Sequence, residues 1–307
     1  MPENIPSPGG GRRAVVLLNP GARQGTGGVD AQLTRLEGQG FKLTRETVTE
    51  PDGIPERIRR HAGQVDLVIV GGGDGTMSAA LPGLLEAGLP LGILPLGTAN
   101  NLARTLDIPT KLDEACAVIA AGRTRRIDVG RVNERPFLTT ASMGLSVRIT
   151  GELTGGAKKR WGPLAYVVTA LRSLRDPGDL HAEIRYDDQV LTGKAVQVVV
   201  GNGRYYGSGL AVAEDARIDD GRLDLYVIRP QPRWRMILLA RSLKQGKQGR
   251  KRDVLALSAK EFRITTREPQ DIDVDGEIGA ATPATFTVIE GALEVFAPAA
   301  EGVGHHG

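Results

Sequence analysis

Residues Val65–Ala80 read VDLVIVGGGDGTMSAA. Five of the first six (Val65, Leu67, Val68, Ile69 and Val70) are apolar and mostly β-branched, which predicts a short buried strand of a parallel sheet. Three glycines end that strand, Asp74 and Gly75 follow, and Thr76 opens a helix-compatible run. Strand, glycine turn and helix start is an arrangement that points backbone N–H groups at an anion, with the helix dipole behind them. Glycine suits it because a Cβ would keep a phosphate at a distance and would resist positive φ. A plain βα turn has little use for an acid inside the glycine cluster and a hydroxyl just after it. Phosphate plus Mg²⁺ has a use for both.

Working outward, Ala14–Leu18 (AVVLL) is a second all-apolar strand that runs into Asn19-Pro20-Gly21-Ala22-Arg23-Gln24-Gly25. Val29–Glu37 has helical spacing, Phe41–Val48 reads as a strand and Ile54–Ala62 as a helix. Met77–Ala87 reads as a helix interrupted near Pro82, and Leu91–Leu94 as another strand. It leads into Pro95-Leu96-Gly97-Thr98-Ala99-Asn100-Asn101-Leu102-Ala103-Arg104, again a small-residue turn before a helix. Three strand ends with phosphate-compatible loops say more than one, because parallel strands bring such loops to one edge. Alternation continues through Leu112–Ala121 to about Gly130, which predicts a doubly wound, Rossmann-like α/β domain.

Beyond that point the pattern changes. Phe137–Met143, Leu180–Tyr186, Gln189–Gly201, Arg222–Ile228, Glu261–Thr266, Ile272–Val274 and Thr285–Ile289 read as short strands. Asp187-Asp188, Asp219-Asp220-Gly221 and Asp275-Gly276 serve as turns between several of them. One helical insertion, near Leu164–Leu174, interrupts the series. An antiparallel β-sandwich is the simplest account. The expected fold class is therefore α/β plus all-β. Residues 1–11 form a tail, 12–130 the nucleotide domain, 131–290 the sandwich and 299–307 a second tail.

Bulk composition narrows the function. The chain has 307 residues, enough for two cores. Lys and Arg number 39 against 36 Asp and Glu, a net charge of +3, and aromatics are 4%. So few aromatics argue against a nucleic-acid binder built on stacking. A single cysteine, Cys116, excludes intrachain disulfides and a cysteine zinc site, and fits a reducing compartment. No run approaches the roughly 18 apolar residues of a membrane span, and MPENIPSPGGGRR lacks the apolar core of a signal peptide.

Taken together, NPGA at 19–22, GGGDGT at 71–76, LPLGTANNLAR at 94–104, GNGRYYGSG at 201–209, ARIDDGRLD at 216–224 and DVDGE at 273–277 carry a signature. They resemble the diacylglycerol kinase catalytic family, in its soluble bacterial lipid-kinase branch, which is related to sphingosine and ceramide kinases. The resemblance spans about Ala14 to Pro298. It implies an N-terminal nucleotide domain, a C-terminal β-sandwich, and a final strand within 291–298 returning to the first domain. The implied activity is transfer of the γ-phosphate of ATP to a lipid hydroxyl with Mg²⁺. The implied setting is cytoplasmic, in phospholipid biosynthesis at the inner face of the membrane, and a homodimer stays open.

Phosphoryl transfer asks mainly for positioning and charge neutralisation. Gly72, Gly73, Gly75 and Thr76 offer a backbone and hydroxyl cradle, and Asp74 is well placed to hold Mg²⁺ directly or through water. The resemblance adds Asn19, Thr98 and Asn101 to the nucleotide pocket and implies Glu277 as general base. It also implies a structural Mg²⁺ site from the Asp220 carboxylate and the carbonyls of Arg217 and Arg222. Three positions depart from the family pattern. Asn101 stands where many bacterial members have Asp, Ala79 replaces a frequent Glu, and Gly21-Ala22 replaces the usual Ser-Gly. Asp74 and Glu277 are intact, so the departures suggest an altered substrate branch before a dead enzyme.

A soluble enzyme acting on a lipid must visit a bilayer. From Pro232 to Arg252 the chain carries Arg233, Arg235, Arg241, Lys244, Lys247, Arg250, Lys251 and Arg252, with no acid among them and with Trp234, Ile237, Leu238 and Leu243 interleaved. A basic helix with one apolar face can lie on anionic lipid. Trp161 with Lys158, Lys159 and Arg160 offers a second contact. Two other readings stay open: an NAD kinase-like phosphotransferase, which shares the GGDG loop, and a nucleotide-binding regulator without turnover.

Overall fold

In the computed structural model the described residues are 11–21, 28–145, 147, 180–203, 205–206, 210–211, 216–232 and 254–299. The chain divides into two compact units, one holding the chain up to Ile127 together with the stretch from Ala292, the other running from Asp128 to Gly291.

In the first unit the strands are β1 (Arg13–Leu18), β2 (Lys42–Thr47), β3 (Leu67–Gly72) and β4 (Leu91–Pro95), all parallel, in the order β2-β1-β3-β4. Every residue of β3 and β4 is buried, as expected of central strands covered on both faces. The helices are α1 (Val29–Gly38), α2 (Ile54–His61), α3 (Asp74–Ala87), α4 (Asn101–Thr105) and α5 (Leu112–Ala121). Val29, Leu33 and Leu36 of α1 and Cys116 and Ile119 of α5 form one cluster with Ala14, Val16, Leu67, Ile69 and Leu94. The alternate strand residues Val15, Leu17, Val68 and Val70 are equally buried on the other face. Gly83 of α3 lets α2 come close, since a Cβ there would stand 2.8 Å from the Pro55 Cα.

The helix after β3 differs from the sequence expectation in two ways. It begins at Asp74, two residues before Thr76, and it runs unbroken through Pro82. Proline removes one N–H from the ladder, but Leu81, Gly83 and Leu84 on either side are buried. Burial of that stripe outweighs one missing bond.

In the second unit, β5 (Thr124–Val132) enters from the first and pairs with β6 (Arg135–Phe137). One antiparallel sheet has six strands, with β7 (Thr140–Gly144), β10 (Gln197–Gly201), β13 (Leu223–Ile228), β14 (Val254–Ala259), β16 (Asp271–Val274) and β17 (Glu277–Ala281) in the order β14-β13-β10-β7-β16-β17. The facing strands are β8 (Leu180–Tyr186), β9 (Gln189–Ala195), β15 (Glu261–Thr266) and the front of β18 (Ala284–Phe296). Phe137, Phe262 and Phe286, all fully buried, fill the space between them with Val198, Val200, Leu225 and Ile272. This is a β-sandwich core, and the short strands β11 (Tyr205–Tyr206) and β12 (Leu210–Ala211) pair with one another. The far end of β18 returns to the first unit, where Val295 pairs parallel with Leu91.

Two strand expectations are corrected. Phe137–Met143 is two strands, broken at Leu138-Thr139, and Gln189–Gly201 is β9 and β10, broken at Val196. The strand expected at Thr285–Ile289 is part of a 13-residue strand. The helix expected near Leu164–Leu174, the cluster around Trp161, the basic stretch 233–252, Ala22 and most of both tails lie outside the described residues. Among the described residues, no helix is long and apolar enough to cross a membrane.

Candidate active site

The C-terminal ends of β1, β3 and β4 bring Asn19, Gly72, Gly73, Asp74, Gly75, Thr76, Thr98 and Asn101 to one edge of the parallel sheet. Backbone bonds lock the three loops together: Asn19 N–H donates to the Gly71 carbonyl (2.9 Å) and Leu96 N–H to the Gly72 carbonyl (3.0 Å). Side chains finish the job. Asn19 Nδ2 donates to Thr76 Oγ1 (3.2 Å), while Asn19 Oδ1 accepts from the Gly21 N–H (2.9 Å). Asp74 Oδ1 accepts from the Leu102 N–H (3.2 Å), so the acid of the glycine loop holds the start of α4. Asn100, buried and at positive φ (49°), accepts from the Gly97 N–H (2.9 Å) and donates to the carbonyls of Pro95 and Gly97.

The glycines have a packing role that the sequence does not show, and positive φ is not the reason for them. None of Gly71, Gly72, Gly73 and Gly75 has positive φ. A Cβ at Gly71 would lie 2.6 Å from Leu18 Cδ2, at Gly72 2.4 Å from Thr76 Oγ1, and at Gly73 3.1 Å from the Gly97 Cα. Gly71 and Gly73 thus make room for the neighbouring β1 and β4 segments, and Gly72 for Thr76 in the first turn of α3. Gly75 alone of the four has nothing within 4 Å and is exposed. Thr98 is also exposed, and Asn101 is buried at the first position of α4. The crevice bounded by Gly72, Gly73, Asp74, Pro95, Asn100 and Leu102 encloses only about 10 Å³, roughly the room of one water. A roomier cleft of about 530 Å³ lies at the opposite ends of the strands, against Arg13, Lys42 and His61. Two of those three are already engaged, Arg13 by Asp66 and His61 by Glu46.

In the second unit, Asp275 and Gly276 (φ 51° and 97°) make the tight turn between β16 and β17. The turn is held from both sides. Asp273 Oδ1 accepts from the Gly276 N–H (2.8 Å). The Asp275 carboxylate accepts from the N–H groups of Leu138 (2.8 Å), Thr139 (2.9 Å) and Thr140 (3.1 Å), and from the Thr139 hydroxyl (2.6 Å). That grip breaks the strand expected at Phe137–Met143. Glu277 opens edge strand β17, exposed, and its Oε2 accepts from Arg135 Nη2 at 3.1 Å.

Arg217, Asp220 and Arg222 occupy the turn before β13. The turn is pinned by buried Asp128, whose carboxylate accepts from the N–H groups of Gly221 (2.6 Å) and Gly291 (2.7 Å). Desolvation raises the Asp220 carboxyl above its ordinary value, and Asp128 and Asp219 add to the rise. Its Oδ1 accepts from the Arg222 N–H (3.0 Å). This set and Glu277 are not brought together: three strands separate β13 from β17, about 19 Å at some 4.8 Å per strand. Reading the sequence passed over Asn100, Asp128 and Arg135, and read Asp275 only as a turn residue, without its grip on residues 138–140. Asn100 and Asp275 stood inside quoted motifs, but neither motif announced these partners.

A parallel sheet edged by backbone-rich loops, followed in the same chain by a β-sandwich, defines a two-domain phosphotransferase. Residues 13–132 match the diacylglycerol kinase catalytic domain, and residues 139–297 match the YegS C-terminal NAD kinase beta sandwich-like domain. Proteins named diacylglycerol kinase from Staphylococcus epidermidis and Staphylococcus saprophyticus are each 29% identical, covering 94% of this chain and 92% and 96% of theirs. A crystal structure of a diacylglycerol kinase from Bacillus anthracis str. Sterne superimposes with a TM-score of 0.73 at 25% identity, covering 94% of this chain and 97% of that one. The chain belongs to the diacylglycerol kinase catalytic family. It is a lipid-kinase-type enzyme with an alcohol group as acceptor.

Proposed function

We propose that this enzyme transfers the γ-phosphate of ATP to the hydroxyl of a diacylglycerol-like lipid, with Mg²⁺. The observation that carries the reading is the interlocked loop edge, where Asp74, Thr76, Asn19 and Asn101 stand on backbone fixed by Asn19–Gly71, Leu96–Gly72 and Leu102–Asp74 bonds. Asn19, Gly72, Gly73, Gly75, Thr76, Thr98 and Asn101 would line the nucleotide. Among the described residues no group of three acidic, histidine or cysteine side chains could by itself hold a metal. That suits Mg²⁺, which keeps several waters and leans on substrate phosphates, with Asp74 as its protein anchor. When bound, the ion would neutralise phosphate charge. Asp220, with the Arg217 and Arg222 carbonyls, would hold a second, structural Mg²⁺. A carboxyl raised by burial and by two neighbouring acids is one that a cation would favour.

Glu277 would take the proton from the acceptor hydroxyl as that oxygen attacks the γ-phosphorus and the bond to the departing ADP oxygen breaks. A positioned base of this kind contributes about 10²–10⁴-fold in rate. The enzyme would reach its lipid from the cytoplasmic side, as a peripheral protein, through the basic segment 233–252. Co-sedimentation with anionic vesicles should then fall as salt rises; indifference to salt would defeat that electrostatic reading.

The sandwich's likeness to NAD kinases favours one competing acceptor. Incubation with γ-labelled ATP and either NAD or vesicles separates them. Label in extractable lipid supports the proposal, label in NAD supports the competitor, and label in neither leaves a nucleotide-binding regulator.

A further inference from the structure

Arg135 begins β6, and its guanidinium reaches across to edge strand β17. There Nη2 donates to Glu277 Oε2 at 3.1 Å. Its seat is made by a glycine. Gly279 is the extra residue of a β-bulge opposite Ile272 and Asp273, and a Cβ there would lie 1.9 Å from Arg135 Nη1, 2.4 Å from Cζ and 2.8 Å from Nε. Gly279 is not at positive φ, so what a Cβ there would displace is the guanidinium, the mobile end of the Arg135 side chain. A second tie joins the same two segments: Asp275, two residues before Glu277, grips the N–H groups of Leu138, Thr139 and Thr140, just beyond Arg135. Backbone and side chain are thus fixed by partners from one stretch, residues 135–140.

We infer that Arg135, seated on Gly279, is the positioning residue that aims the Glu277 carboxylate at the acceptor hydroxyl. This rests on Glu277 being the base. A long, exposed glutamate on an edge strand has three soft torsions, and a general base works only within hydrogen-bond reach of its proton. A planar guanidinium seated beside Gly279 restricts that freedom in a way an ammonium does not.

The test is a set of lipid-phosphorylation assays on the whole enzyme with vesicles and ATP. Arg135→Gln should lower kcat about tenfold while leaving KM for ATP within about twofold, since the residue holds the base and not the nucleotide. Arg135→Lys should recover only part of the loss. Gly279→Ala keeps the charge but evicts the guanidinium, so it should match Arg135→Gln, and the double variant should be no worse than either single one. Thermal unfolding of each variant checks that the sandwich persists. Wild-type kcat in both Arg135→Gln and Gly279→Ala, with Glu277→Gln inactive, overturns the inference and spares the base. Full turnover in Glu277→Gln overturns both.

Discussion

Substitution of Gly97 by alanine tests whether the phosphate edge is built by loops in contact. The new Cβ would stand 2.4 Å from the Gly73 Cα and 2.7 Å from Asn100 Oδ1, where carbon atoms rest at about 3.5–4.0 Å. The β3 and β4 loops must therefore separate by about 1 Å. Overpacking of this kind costs about 1–3 kcal/mol. Losing the bond from the Gly97 N–H to Asn100 adds about 1 kcal/mol. Thermal unfolding should drop by roughly 4–16 °C at about 2–4 °C per kcal/mol. ATP affinity by calorimetry should fall about tenfold, because misplaced groups lose much of their value to a bound ligand. Gly75→Ala is the matched control. No atom lies within 4 Å of its Cβ position and its φ is not positive. It sits in the first turn of α3, where alanine is favoured by up to about 1 kcal/mol. Gly75→Ala should leave stability unchanged or raised, and should weaken ATP binding only if phosphate lies against that face. A Gly97→Ala protein with wild-type unfolding temperature and ATP affinity would refute the account of interlocked loops.

Two further outcomes follow from the same unit. Asp74→Ala should abolish the Mg²⁺ dependence of nucleotide binding and also lower stability by about 1–2 kcal/mol, because the buried Leu102 N–H loses its acceptor; an unchanged metal titration would remove Asp74 from the ion. Burial pushes the Cys116 thiol up to about 11, so the native protein should react with iodoacetamide at pH 8 roughly 100-fold more slowly than the unfolded chain. The native proton is the more tightly held one, so this group's contribution is complete below the unfolded thiol's pKa and is lost as pH rises towards 11. Rapid native labelling would contradict the burial.

What was legible in the sequence was the part encoded locally. Leu67–Val70 and Leu91–Leu94 are unbroken apolar runs, and each became a fully buried central strand. The doubly wound order followed from their alternation with helices. Strand β14 (VLALSA) went unread although it opens on four apolar residues; only its two ends, Val254 and Ala259, are buried, so its burial does not follow the alternation of a half-buried strand. Strand β17, EIGAA, has almost no bulky side chains; its existence depends on β16 beside it. Pro82 misled because the sequence shows the missing donor and not the buried stripe around it. The glycine loop was found for its chemistry, while its packing, Gly71 against Leu18 and Gly73 against Gly97, is visible only once two strands are side by side. Arg135 was silent for the plainest reason: its partner Glu277 lies 142 residues away.

The reading of this chain as a lipid kinase with a glutamate base meets its most direct test in Glu277→Gln, assayed with γ-labelled ATP on lipid vesicles beside calorimetric ATP binding. The account expects label transfer to fall at least about 100-fold, with the dissociation constant for ATP within about twofold of wild type. Transfer at the wild-type rate in that variant would contradict it.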